Sequence, residues 1–221
     1  MDGLISEWIG AVLQLLFAFI LAGMFYGGHR IIAAARKRPA VGFLAWVGLT
    51  RPVASVASRV WLVLGLLGFS LAMLGVEHLL GLHGELGEMM RDVPVAGLAR
   101  LEPAGAALAA GVAYAFLRTA GSEELLVRGV LYRRLVDWIG FRPANGVQAT
   151  LFALLHNGIV TLAVPDPSLL LQTDIFLRIW IPSLVVGWYM ERVDGGSLLM
   201  PWVCHGIANL VTFLVFFSGR L

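Results

Sequence analysis

The chain has 221 residues, of which 59% are hydrophobic and 14% are charged, and its formal net charge is +2. A soluble domain of this length is usually about half apolar and about a quarter charged. The excess of apolar residues lies in long runs, which excludes an ordinary soluble domain and favours membrane spans. The small net charge gives no indication of a nucleic-acid partner. The single cysteine, Cys204, excludes an intrachain disulfide.

The apolar runs predict an all-α, polytopic transmembrane helix bundle with about six spans. A partly buried helix over 123–138 is expected in addition. The segment 41–49 is too short to cross about 30 Å of hydrocarbon as a helix, and 77–100 reads as a polar loop. The expected spans cover 4–26, 60–76, 104–120, 144–164, 175–190 and 198–217. We expect one integral membrane domain, with N-terminal helices over 1–103 and motif-bearing helices over 104–221.

The distribution of Arg and Lys predicts the orientation, because cytoplasmic segments carry an excess of basic residues. With the acidic N-terminus outside, most of the basic residues fall in cytoplasmic segments, and few fall outside. The outer segments hold Arg91, Arg100 and Arg220, with Arg178 near that side. The basic residues are almost all Arg, which indicates a bacterial source. The expected location is therefore the inner (plasma) membrane, crossed several times.

Ionisable residues within membrane segments are costly, so they indicate functional sites. Directly after the third apolar run comes the sequence SEELLVRG, which contains Glu123, Glu124 and Arg128. Glu124 and Arg128 are four residues apart, so they share a helix face and can form an ion pair. Glu123 points about 100° away from Glu124. One carboxylate can thus be neutralised while the other faces elsewhere.

Two further polar positions lie inside apolar runs. Phe152 and His156 form the pattern FxxxH, and His205 and Asn209 form HxxxN in the last run. Each pattern alone has a structural explanation: a surface ion pair, a packed histidine, or hydrogen bonds between neighbouring helices. Their occurrence together on three helices favours a shared pocket that holds a carboxylate, two imidazoles and an amide. These are the components of a hydrolytic site.

The order EExxxR, FxxxH and HxxxN resembles the CPBP family, the CAAX-processing and bacteriocin-processing intramembrane proteases that are also called Abi proteins. The resemblance extends over about 104–217 and departs from the family pattern at Val127, where Phe is common. It implies an intramembrane endopeptidase of the glutamic type.

By this resemblance, Glu123 and His156 would activate a water, and His205 with Asn209 would stabilise the oxyanion. Glu124, Arg128 and Phe152 would support the site. The expected mechanism uses no cofactor or metal. The alternative is a zinc site formed by Glu123, His156 and His205, the His₂Glu type with an open position. The motif HExxH is absent, and the two histidines lie on different helices, which favours the metal-free mechanism.

Two other classes of function stay open at this point. One is a proton- or ion-coupled transporter, although no inverted repeat is visible in the sequence. The other is a non-catalytic membrane immunity or scaffold protein. The expected partners are the lipid bilayer and a peptide or protein substrate with a leader or a C-terminal membrane tail. The sequence does not name that substrate.

Overall fold

The computed structural model describes residues 2–39, 41–82, 84–85, 87, 98, 101, 104–164 and 166–217. Within these ranges the regular secondary structure is entirely helical, as the sequence predicts. In chain order the helices are α1 (Asp2–Ala35), α2 (Phe43–Trp46), α3 (Val56–Leu80), α4 (104–139), α5 (Phe141–Ala163), α6 (Leu169–Arg192) and α7 (Leu199–Phe217).

Four of the described helices are long and apolar enough to cross a membrane: α1, α3, α5 and α6. Helix α7 is shorter but also apolar over Leu199–Val215. The prediction of about six spans is therefore supported for four helices. Most of the expected loop 77–100, with Arg91 and Arg100, and the expected outer residue Arg220 lie outside the described residues.

Helix α4 differs from the sequence prediction, which placed a span over 104–120 and a separate helix over 123–138. The structure joins the two into one helical run. The α-helical segments Ala104–Val112, Ser122–Glu124 and Arg133–Ile139 alternate with the π-helical segments Ala113–Gly121 and Leu125–Tyr132. The polar residues from 118 to 124 suggested a break, but the backbone continues through them, and Arg118, Ser122 and Glu124 make contacts within the protein.

Glycines allow α7 to approach α4 closely. A Cβ atom on Gly206 would lie 2.4 Å from the ring of Phe116, and one on Gly121 would lie 2.8 Å from the ring of Trp202. The Trp202 indole also donates a hydrogen bond of 2.6 Å to the carbonyl of Phe116. Small residues at such contacts are typical of helix packing in membranes. This contact sets the position of His205, the neighbour of Gly206.

Polar contacts fasten α1 to α4. The Arg118 guanidinium lies 2.9 Å from the Glu7 carboxylate, and Glu7 is buried. One turn further along α4, the Ser122 hydroxyl accepts a hydrogen bond of 3.3 Å from the Gln14 amide of α1. Ser122 directly precedes Glu123, so α1 supports the stretch of α4 that carries the two glutamates.

The segment after α2 and the loop between α6 and α7 meet at one end of the bundle. The Asp194 carboxylate accepts from the backbone N–H of Ala54 at 2.9 Å, and the Leu198 N–H donates to the Gly48 carbonyl at 2.7 Å. From α4, Arg133 donates to the Gly196 carbonyl at 2.7 Å. The segments predicted to be cytoplasmic are therefore gathered at the same end.

Helices α3 and α6 share a buried charged cluster. Arg178 forms ion pairs with Glu77 on α3 and with Asp174 on its own helix, the second at 3.4 Å. Both carboxylates are buried. The four-residue spacing of Asp174 and Arg178 predicts their pair, whereas Glu77 lay in the expected loop 77–100. Because α3 continues to Leu80, Glu77 is part of the helix and can reach Arg178.

Candidate active site

The two neighbouring glutamates of α4 have different surroundings. They occupy the short α-helical segment Ser122–Glu124 between the two π-helical segments. π-Helical turns are rare and are frequently found at functional sites. The Glu124 side chain is 1% exposed, whereas that of Glu123 is 34% exposed. Consecutive helical residues point in different directions, so the two carboxylates contact different groups.

Glu123 faces both histidines. Its Oε2 atom lies 3.9 Å from Nε2 of His156 on α5 and 3.9 Å from Nε2 of His205 on α7. These separations exceed the range of a direct hydrogen bond. Oε2 is nevertheless buried and has no hydrogen-bond partner among the described residues. Polar groups at this separation can be joined by a bridging water, and both imidazole nitrogens lie at this distance from the same carboxylate oxygen.

Phe152 helps to fix both imidazole rings. Nδ1 of His156 lies 2.9 Å from the Phe152 carbonyl oxygen, which can only accept, so Nδ1 carries the hydrogen. Nε2 of a neutral His156 then presents a lone pair toward Glu123. The Phe152 ring also makes edge contacts with both imidazoles, with ring centroids 4.5 Å apart for His156 and 5.6 Å apart for His205.

Glu124 and Arg128 form a buried ion pair that continues to two other helices. The Arg128 guanidinium donates to Glu124 and, at 3.0 Å, to the Ser183 hydroxyl on α6. The same Glu124 oxygen lies 2.9 Å from Nδ1 of His205. Glu124 therefore holds both Arg128 and one of the histidines. The four-residue spacing predicted the ion pair, but no sequence signal pointed to Ser183 or to the Glu124–His205 contact.

Asn209 lies one helical turn after His205 and contacts α4. Its Nδ2 atom donates a hydrogen bond of 2.7 Å to the hydroxyl oxygen of Thr119, in the first π-helical segment. Thr119 was not among the residues predicted from the sequence. A threonine four residues before Glu123 has no distinctive spacing, so only the structure brings it to the site.

A cavity of about 320 Å³ adjoins these groups. Its polar lining includes His156, His205, Asn209 and the Glu124–Arg128 pair, and most of the remaining wall is apolar side chains of α3, α5, α6 and α7. Glu123 is not part of the lining, although its carboxylate oxygen faces the two imidazoles that are. The structure thus brings the seven residues predicted from the sequence into one region.

The three candidate zinc ligands, Glu123, His156 and His205, are farther apart than the ligands of a zinc site. Among the residues that the structure describes, no group of three or more His, Cys, Asp or Glu side chains is arranged to hold a metal ion. Ligand atoms around tetrahedral zinc lie about 3.4 Å apart when zinc–ligand distances are about 2.0–2.2 Å. The 3.9 Å separations at Glu123 are wider, so the side chains would have to move closer to bind zinc.

A helical membrane bundle with a buried carboxylate oxygen that faces two imidazoles belongs to the class of multi-pass membrane proteins with the components of a hydrolytic site. Residues 105–211 match the family model described as Type II CAAX prenyl endopeptidase Rce1-like. The match covers 107 of the 221 residues and confirms the resemblance to the CAAX proteases that the motifs indicated. No curated protein and no solved structure gave a significant match.

Proposed function

We propose that the chain is an intramembrane endopeptidase that hydrolyses a peptide bond of a membrane-associated protein or peptide. The observation that carries the proposal is the buried Glu123 oxygen, which has no hydrogen-bond partner among the described residues and faces Nε2 of both His156 and His205. A water held between Glu123 and His156 would lie where a base can remove its proton. The family match supports the same chemistry.

In the proposed reaction, Glu123 accepts a proton from the water while the Nε2 lone pair of His156 orients it. The water oxygen forms a bond to the carbonyl carbon, and the carbonyl oxygen becomes an oxyanion. His205 and Asn209, on the cavity wall, donate hydrogen bonds to that oxygen. The carbon–nitrogen bond then breaks, and the leaving amine takes a proton from Glu123.

The Glu124 contact specifies how His205 would act. An ionised Glu124 is only an acceptor, so Nδ1 of His205 carries a hydrogen. Nε2 can donate to an oxyanion only if the ring is protonated on both nitrogens. The proposed reaction therefore requires His205 as an imidazolium, whose Nδ1–H donates to Glu124.

The apolar cavity wall supports a substrate with an apolar segment next to the scissile bond. A leader peptide or a C-terminal membrane tail has this character. We place the protein in the inner (plasma) membrane of a bacterial cell, with the N-terminus outside.

We further propose that catalysis needs no bound metal, because the water mechanism uses Glu123, His156, His205 and Asn209 together. A zinc site would use the first three and leave Asn209 without a role. We expect purified active protein to contain far less than one zinc per chain by elemental analysis. About one zinc per chain, with activity lost on its removal and restored on its return, would contradict this proposal.

The experiment that tests the function compares Glu123→Gln with wild type in detergent or liposomes. The first probe is an internally quenched peptide that ends in a farnesylated CAAX sequence. The second is the membrane fraction of the host, in which new peptide termini are identified by mass spectrometry. We expect Glu123→Gln to lower cleavage at least about a hundredfold, as for loss of a general base.

The matched control is Asp137→Asn, because the Asp137 side chain is 63% exposed and its ion pair with Arg134 lies away from the cavity. This variant should cleave like wild type. Equal cleavage by Glu123→Gln and wild type would refute the mechanism. No cleavage of either probe by wild type would favour the transporter or the immunity protein instead.

A further inference from the structure

We propose that Thr119 is a positioning residue that fixes the orientation of the Asn209 amide. The inference rests on the proposed function, in which Asn209 donates to the oxyanion. Thr119 lies on α4 and Asn209 on α7, and their side chains meet in a hydrogen bond of 2.7 Å. Neither the motifs nor the family resemblance pointed to Thr119.

The hydrogen of the Thr119 hydroxyl is already used. Its Oγ1 lies 3.1 Å from the carbonyl oxygen of Tyr114 and 3.1 Å from that of Ala115, both within the π-helical segment. A carbonyl can only accept, and a hydroxyl has one hydrogen. When Thr119 donates to one of these carbonyls, it accepts from Asn209, and the Asn209 group that faces Thr119 is then the NH₂.

This arrangement decides what Asn209 can offer to a substrate. An amide NH₂ has two hydrogens. One of them bonds to Thr119, and the second stays available to a carbonyl oxygen in the cavity that Asn209 lines. Without the hydroxyl, the amide could rotate about its last bond and present its carbonyl oxygen, which repels an oxyanion. Thr119 thus removes the unproductive orientation.

The chain from the backbone carbonyl through Thr119 to Asn209 also polarises the amide, because hydrogen bonds in sequence strengthen one another at low dielectric. The π-helical segment places two carbonyls, from residues five and four positions earlier, within reach of one hydroxyl. The wider turn of α4 is therefore part of the support for Asn209.

The test measures kcat and KM for wild type, Thr119→Val and Thr119→Ser with the quenched farnesylated peptide, or with a peptide identified in the membrane fraction. We expect Thr119→Val to lower kcat about tenfold with little change in KM. Thr119→Ser keeps the hydroxyl and should stay within about threefold of wild type. The decrease in kcat should not exceed that of Asn209→Ala, because removal of one oxyanion donor typically lowers kcat by a factor of about 10²–10³.

Two controls separate positioning from a structural role. Thr161→Val removes an exposed hydroxyl that bonds only to the Asn157 carbonyl, at 2.9 Å, and should leave kcat unchanged. In the Asn209→Ala background, Thr119→Val should cause no further loss, because a residue that acts through Asn209 has nothing left to position. If Thr119→Val fails to fold, the same comparison is made with Thr119→Ala.

Wild-type kcat in a folded Thr119→Val protein, or full additivity with Asn209→Ala, would overturn the inference while the proposed function stands. Absence of cleavage by wild type would instead be a failure of the proposed function.

Discussion

Two adjacent glutamates have different surroundings, because the side chain of one is enclosed and that of the other is partly exposed. Each has one oxygen without a hydrogen-bond partner among the described residues, but the other oxygen of Glu124 is bound by Arg128 and His205. A carboxylate that is ion-paired to an arginine is held in its charged form, whereas one without such a pair accepts a proton more readily. The proposed base is therefore the glutamate with fewer contacts.

The contacts of Glu124 predict two effects of replacing it, one on stability and one on catalysis. We expect Glu124→Ala to destabilise the protein by about 3–5 kcal/mol, because it leaves Arg128 buried without its carboxylate. It should also lower kcat, because His205 loses its acceptor. Thermal unfolding in detergent and peptide cleavage measure the two effects.

Asp137→Ala is the matched control, since it removes the carboxylate, 63% exposed, of an arginine–carboxylate pair at 3.3 Å. Such a pair contributes about 0–1 kcal/mol. If Glu124→Ala melted like Asp137→Ala, the ion pair would not be the support that the structure indicates.

For single residues, the sequence predicted side-chain contacts where both partners lie on the same helix. The spacing of Glu124 and Arg128 predicted their contact. The partners Thr119, Ser183 and the Glu124–His205 pair lie on different helices, so their proximity depends on how the helices pack. No single-sequence pattern encodes that packing.

At the scale of elements, the approach of α7 to α4 determines the site. His205 and Asn209 lie on one helix, while Glu123, Glu124 and Thr119 lie on the other. Gly206 and Gly121 permit the contact. The sequence predicted both helices but divided α4 into two, because a window of hydropathy treats charged residues as the end of a span. It gave no sign of the π-helical segments.

We expect Gly206→Ala to separate α7 from α4, because its Cβ would lie 2.4 Å from the Phe116 ring. Overpacking of this kind costs about 1–3 kcal/mol. Activity should fall together with the melting temperature, since His205 is the next residue. Both are measured with the detergent-solubilised protein.

Gly68→Ala on α3 provides the comparison, because a Cβ at that position meets nothing within 4 Å. It should leave both properties unchanged or raise stability slightly. A Gly206→Ala protein with wild-type melting and activity would show that Phe116 can move aside freely.

At the scale of the whole molecule, the structure places the loop after α6 beside the segment after α2. In the proposed topology, which rests on the distribution of basic residues, this end faces the cytoplasm. The opposite end contains the turn between α5 and α6, where Asp166 is exposed. The class of fold followed from composition and apolar runs, whereas the number of crossings could not be fixed from hydropathy alone.

We expect a membrane-impermeant thiol reagent to label Asp166→Cys, but not Asp137→Cys, in intact cells. Both positions are exposed, and they lie near opposite ends of α5. Wild type is the background control, because Cys204 is buried. Labelling of Asp137→Cys alone would invert the proposed topology.

The ion pair between Arg118 and Glu7 has a consequence for biogenesis. In the topology predicted from the sequence, α4 brings several charged side chains into the membrane, and a charge at the centre of an inserting helix costs about 2.5–3.5 kcal/mol. Glu124 and Arg128 neutralise each other within α4, but Arg118 pairs with Glu7 of α1. Since α1 leaves the ribosome first, its carboxylate would be in place when α4 arrives. In that topology, the helix that carries the proposed base depends on an earlier helix for its entry into the bilayer.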